Sequence, residues 1–319
     1  PPFIRLLAEQ CPGYPWDEPE GRDFLRSIVQ TDPELVWTIL QEVGTNSMQA
    51  DELYDIVEIC TSPTSRIFSL RIQLLIDNID LLLRDFVLYD LLEHGYIQAV
   101  AVMKIWIALE ADRRKSIHLP DEKILEKYGR QYYSQVLDEL LPLVLETADK
   151  ESINRYQSEW TSLGYHISAE RQIVQFMQYS LAQEAEEMPE QFFQRVSCLE
   201  QVVSPIKQEL FLHAIECLPL HEADKAFEWL LTDFDQRAFE KTSFENSELS
   251  CCQRIIQRFS PHCRESVFVR LEQAIVCWTP PRESMRAAYE ARIANHKVKG
   301  GGNYYASFWG DLQRVLLPA

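Results

Sequence analysis

Apolar side chains recur at three- and four-residue intervals along nearly the whole chain, the period of a helix with one buried face. Leu35, Ile39, Leu40 and Val43 form one such stripe. Asp32-Pro33-Glu34 introduces it, supplying a capping carboxylate, a proline at the first helical position and an acid in the first turn. Leu53, Ile56, Val57 and Cys60 share one face of a helix over 51–60. Ser62-Pro63 opens the next, which runs through Leu70, Leu74 and Leu75, and helices over 80–92 and 96–109 follow. Past the basic break Arg113-Arg114-Lys115, Pro120-Asp121-Glu122 starts a longer helix carrying Leu125, Tyr132, Val136, Leu140, Leu141 and Leu145. Further helices are expected near 151–163, 168–187, 190–201, 204–218, 222–233, 247–259, 262–278, 282–296 and 304–317. Strict alternation is scarce, and neither Asn-Gly nor Asp-Gly turns occur, so strands are not expected.

The breaks are short and carry proline, as in Ile59-Cys60-Thr61-Ser62-Pro63, Glu216-Cys217-Leu218-Pro219 and Phe259-Ser260-Pro261. Proline lacks the N–H that an interior helical turn requires, so each marks a start or stop. Connections this short make neighbouring helices pack as hairpins. Faint echoes run along the chain. Pro63 and Pro219, Leu74-Leu75 and Leu230-Leu231, and Asp77 and Asp233 all stand 156 residues apart, and Gly95-Tyr96 precedes Gly164-Tyr165 by 69. The pattern predicts an all-α protein of about 13 to 15 helices, a right-handed α-solenoid of antiparallel helix pairs in the manner of tetratricopeptide and HEAT repeats. Charge and Pro120 divide it into repeats over 1–114 and a continuing set over 115–319, with the break at 112–121.

Composition narrows the function. Glycine numbers 10 in 319 residues, about half the average usage, and three of the ten are Gly300, Gly301 and Gly302. No G-x-x-x-x-G-K-[ST] or G-x-G-x-x-G loop and no G-x-S-x-G elbow is present. The net charge of −18 repels nucleic-acid phosphates and anionic membrane surfaces and favours a basic partner. No run of 18 apolar residues occurs, and a membrane is not an expected partner. Eight cysteines lie mostly within apolar helical runs, which suits buried thiols in a reducing cytoplasmic compartment. The chain opens Pro1-Pro2-Phe3 and stops at Leu316-Leu317-Pro318-Ala319 inside an apolar pattern, as expected of a piece of a longer polypeptide.

Candidate chemistry is sparse. Cys251, Cys252, His262 and Cys263 are zinc-type ligands, but adjacent cysteines do not match C-x₂-C spacing. His213 and Cys217 stand four apart on one helix face, and Cys198 lies nearby in sequence, the elements of a thiol–imidazole pair on what reads as a buried face. No catalytic residue, metal or cofactor is assigned. The acidic run Glu184, Glu186, Glu187 and Glu190 flanks Pro189 and reads as a solvated helix end that a basic partner would contact. Lys297 and Lys299 beside the glycine cluster form a second candidate contact, an exposed loop with the makings of an anion nest.

Leu91-Leu92-Glu93-His94-Gly95-Tyr96-Ile97-Gln98-Ala99 is the sharpest local signature: a helix ended by a left-handed glycine, an aromatic at the next start, and a small residue permitting close approach. With Asp32-Pro33-Glu34-Leu35-Val36 and Glu58-Ile59-Cys60, it makes the stretch 22–114 resemble the helical-repeat regions of large bacterial STAND-type NTPases. Tyr304-Tyr305-Ala306-Ser307-Phe308-Trp309-Gly310 fits the same resemblance. It implies repeats that sense a protein ligand, with the NTPase elsewhere in the polypeptide, as in bacterial defence. The expected function is therefore non-enzymatic recognition of a protein or peptide. An architectural module that self-associates and a helical enzyme with an interhelical site are the alternatives.

Overall fold

The computed structural model describes residues 18–43, 48–84, 86–110, 114, 119–152, 168–204, 206–233 and 251–277. All regular structure among them is helical. The chain divides into two compact units, Pro1–Phe176 and Met177–Ala319.

The first unit contains α1 (Pro19–Ile28), α2 (Pro33–Val43), α3 (Ala50–Val57), α4 (Arg66–Asp77), α5 (Ile79–Leu82), α6 (Val87–Glu93), α7 (Ala99–Ile107), α8 (Glu122–Gln131), α9 (Tyr133–Glu139), α10 (Leu141–Ser152) and the start of α11 (Ala169–Glu187). Caps set the helix starts. Asp32 Oδ1 accepts the Leu35 N–H at 3.0 Å, and Asp121 Oδ1 accepts that of Ile124 at 3.1 Å. Ser62-Pro63 does not open α4. The helix begins three residues later, where Ser65 Oγ accepts the Phe68 N–H at 3.1 Å and donates back to the Ser62 carbonyl at 2.8 Å.

Helices pack on the next but one, α1 on α3, α2 on α4 and α6 on α8, and α4 packs past two short helices onto α7. The buried side chains include Leu25, Ile39, Phe68, Leu91, Trp106 and Leu125. Polar ties repeat the register. Arg26 Nη2 meets Glu58 at 2.6 Å, 32 residues on, and the Tyr96 hydroxyl donates to the Thr61 carbonyl at 3.0 Å, 35 residues back.

Gly95 sits at the junction of these ties. With φ +70° it ends α6 in the left-handed region, and the Tyr96 and Gly95 N–H groups return to the carbonyls of Leu91 (3.0 Å) and Leu92 (3.1 Å). Its own carbonyl and that of Tyr96 then accept the hydroxyls of Tyr132 and Tyr128, each at 2.7 Å. The Tyr96 ring meets Phe68 edge-on, with centroids 4.6 Å apart.

The second unit holds the rest of α11, then α12 (Pro189–Cys198), α13 (Lys207–Cys217), α14 (Ala223–Thr232), α15 (Cys251–Phe259) and α16 (Glu265–Cys277), with 3₁₀ turns at Leu220–Glu222 and Ser260–His262. Here α13 packs on α15 and α14 on α16. Arg254 grips Glu216, 38 residues back, with Nε–Oε1 2.7 Å and Nη2–Oε2 2.9 Å. The Arg264 N–H donates to Asp224 at 2.8 Å, holding that carboxyl below its usual range together with the Arg264 guanidinium.

Three sequence expectations are corrected. The helix expected over 80–92 is two, α5 and α6, separated by a left-handed Phe86 (φ +67°). The long helix from Pro120 is three: Tyr132 leaves helical geometry where its hydroxyl is tied to Gly95, and Pro142 has no N–H to continue the ladder from α9 into α10. These breaks raise the number of α-helices to sixteen among the described residues. The division falls at 176/177 rather than at 112–121, because bonds cross the expected break. Arg114 is fully buried and pairs with Glu151 and Glu170, while Tyr128 and Tyr132 reach back to the Gly95 turn. In the echoed pairs Leu74/Leu230 and Leu75/Leu231 one residue is core and the other half-buried; Gly164-Tyr165 and the helices expected over 282–317 lie outside the described residues.

A Cβ added at Gly95 would touch nothing within 4 Å, so Gly95→Ala tests backbone strain alone. The expected loss is about 1–2 kcal/mol in urea unfolding; unchanged stability would show that the turn is not held in the left-handed region.

Candidate functional site

α4 buries Ile67, Phe68, Ile72 and Leu75, and the same face carries Arg71, whose side chain is 3% exposed. Its guanidinium is only partly satisfied. Nη2 donates to Asp90 Oδ2 at 2.6 Å and Nη1 to the Cys60 carbonyl at 3.4 Å, whereas Nε has no acceptor. That atom is enclosed by protein, where a donor without a partner costs about 1–3 kcal/mol. Tyr54, from α3, lies beside the guanidinium, within hydrogen-bonding reach of it. Burial pushes its phenol upward, against the pull of the Arg71 charge.

Arg71 forms part of an open cleft of about 360 Å³, at the small end of ligand-sized pockets. Two features of its rim stand out. Phe86 is 59% exposed and adopts φ +67°, a conformation that costs a bulky residue about 1–2 kcal/mol. A strained, exposed aromatic at a cleft mouth is the kind of outlier that functional surfaces retain. Glu58 gives one carboxylate oxygen to Arg26 at 2.6 Å, and its other oxygen has no hydrogen-bond partner among the described residues. Ile59 and Val87 supply apolar wall, and Asp90, shared with His94 at 3.2 Å, completes the polar side. The cleft thus offers a buried Arg71–Asp90 pair, an unmatched acceptor at Glu58 and an exposed aromatic ring at Phe86.

The acidic run is not one surface. Glu184 is fully buried, gripped by Arg195 from α12 through Nε and Nη2 at 2.8 Å each. It leaves the set of partner contacts, because proximity to the helix end does not decide which face a residue takes. Glu186, Glu187 and Glu190 are exposed. Glu187 accepts from Gln183 Nε2 at 2.6 Å, and Glu190 pairs with Lys225. Lys297 and Lys299 lie outside the described residues.

The zinc-type residues do not converge: among the described residues no three His, Cys, Asp or Glu side chains are placed to hold one metal ion. Cys252 is buried in the α15 core, Cys251 accepts from Arg254 Nη2 at 2.9 Å, and Cys263 donates to the Ser260 carbonyl at 3.4 Å. Burial pushes the Cys251 thiol up to about 11 and that of Cys252 to about 12, far from nucleophilic use at neutral pH. His213 and Cys217 are half-buried on α13, and Cys198 is exposed at the end of α12. No helix among the described residues is long and apolar enough to cross a membrane.

Comparison of the chain with protein-family models, with curated proteins and with solved structures gives no match. The cleft is therefore read from its own geometry. One sign of it is present in the sequence: an arginine occupies a core position of the α4 stripe, four residues after Ile67 and three after Phe68. Nothing in the sequence marks Phe86, which sits inside an uninterrupted helical pattern.

Two measurements check these assignments. Glu184→Ala is expected to cost about 3–5 kcal/mol by removing the buried carboxylate that Arg195 grips, whereas Glu187→Ala on the surface stays within about 0.5 kcal/mol; comparable losses in chemical unfolding would refute the contrast. Because their pKa values are raised, the Cys251 and Cys252 thiols stay protonated below pH 11. Iodoacetamide at pH 8 should label exposed Cys198 while leaving both unmodified, as read by mass spectrometry, and early labelling of Cys251 would contradict its burial.

Proposed function

We propose that this chain is a non-enzymatic recognition region for a protein or peptide, and that the cleft at Arg71 is where the ligand is read. The exposed, positive-φ Phe86 ring in the cleft beside the Arg71–Asp90 pair carries the reading. The side chains of a bound segment would lie against Phe86, Val87 and Ile59, which frame the mouth. Tyr54 and the Arg71–Asp90 pair are held by core packing, so the base is organised before any ligand arrives, which lowers the ordering cost of binding.

The fold reading behind this is a set of antiparallel helix pairs within each unit, stacked in the manner of a right-handed α-solenoid. Helices packing on the next but one, and polar ties recurring 31 to 42 residues apart, support it. Such stacks present concave surfaces without needing a glycine-built loop. The resemblance to the sensor repeats of STAND-type defence NTPases belongs to the same proposal, and so does cytoplasmic residence, which the buried thiols of Cys60 and Cys252 suit.

Selection from a displayed random-peptide library on the immobilised chain tests the site. Selected peptides should lose at least about tenfold in affinity for Phe86→Gly, a variant that removes the ring and relieves the positive φ, so that folding is preserved. Peptides that bind wild type and variant equally would place recognition elsewhere.

A further inference from the structure

Resting on that reading, we infer that the cleft is selective for a lysine or arginine side chain in the bound segment. Three observations converge on a cation. The unpartnered Glu58 oxygen lies at the edge of the same cleft as the exposed Phe86 ring. A cation satisfies both, through a charge-assisted hydrogen bond and the negative face of the aromatic ring. A neutral N–H satisfies only the first, and an aliphatic side chain only the second.

The remaining charges agree. Arg71 is engaged with Asp90, Arg26 with the other Glu58 oxygen, and Arg84, which stacks over Tyr54 and also feels the Glu58 charge, with Asp51 and Asp55, so each of these cations already has a carboxylate. An anionic side chain entering the cleft would meet Glu58 and Asp90, whereas an incoming cation completes the half-used Glu58 carboxylate. Beyond the cleft, a net charge of −18 steers basic segments toward the chain and acidic ones away. Both needs are met by one residue of a basic peptide, whose side-chain cation reaches Glu58 across Phe86.

The probes are the Nα-acetyl N-methylamides of arginine, lysine, leucine and glutamate, titrated into the full chain with labelled isoleucine and valine methyl groups. Ile59 and Val87 report from inside the cleft. The arginine and lysine derivatives should shift both signals saturably, binding at least about fivefold tighter than the leucine derivative, and the glutamate derivative should leave them unmoved. Glu58→Gln alters an exposed pair and spares the core. It should weaken the cationic probes about fivefold or more and leave the leucine probe unchanged. Phe86→Gly should weaken them about two- to fivefold.

If leucine binds as tightly as arginine, or if Glu58→Gln changes nothing, cation selectivity is refuted while peptide recognition stands. If no derivative moves Ile59 or Val87, both readings fall. If free arginine binds more tightly than its blocked derivative, the site takes a zwitterionic amino acid, and the peptide assignment is overturned.

Discussion

The first unit depends on a backbone turn that serves as an acceptor. At Gly95 and Tyr96 the chain leaves helical geometry, and two carbonyls turn toward neighbouring helices, that of Tyr96 while it also accepts the Ala99 N–H at 2.9 Å. Tyr132 and Tyr128 occupy them at 2.7 Å each, from helices whose residues lie 32 to 37 positions further on. The same turn sends the Tyr96 hydroxyl back to Thr61. One left-handed glycine therefore links the end of α6 to Thr61 before it and to Tyr128 and Tyr132 after it. Such junctions are made from backbone carbonyls, whose positions follow from the turn geometry rather than from side-chain rotamers, so the register between pairs is set with little conformational freedom to lose.

Thr61, which receives the Tyr96 hydroxyl, also lines the cleft, next to Ile59 and Tyr54. The structural tie and the cleft therefore share a segment. The connection 58–61 is held from one side by Arg26 and Gln30 and from the other by Tyr96 and Arg71. A segment anchored on both sides makes a stable wall. Phe86 stands opposite, on a short link between α5 and α6, held in a backbone state that a bulky residue adopts only at a cost. The cleft thus combines a fixed base with a strained lip.

Much of the fold was legible because helices announce themselves by period and caps. Asp32, Asp121 and Gly95 act as their residue types imply. What was not legible depended on tertiary geometry. Tyr132 interrupts a helix because its hydroxyl is tied to a distant turn, and Phe86 breaks one although no residue type there signals it. Glu184 shows the limit for function. Four acids near one proline look alike in sequence, yet α11 turns one of them inward against Arg195 and leaves the others in solvent. The cleft was nearly invisible for the same reason. Its parts are ordinary residues on α3, α4, α6 and their connections, and only the misplaced arginine of the α4 stripe hinted at it.

The even spacing of the polar ties bears on how the chain finds its structure. Bonds between helix pairs link residues from 29 (Gln30 to Ile59) to 56 (Arg114 to Glu170) positions apart. Loop-closure entropy varies only as the logarithm of that length, so the cost of closing the longest exceeds that of the shortest by about 0.6 kcal/mol. Closing any of these ties therefore costs nearly the same chain entropy, so none is penalised for its length.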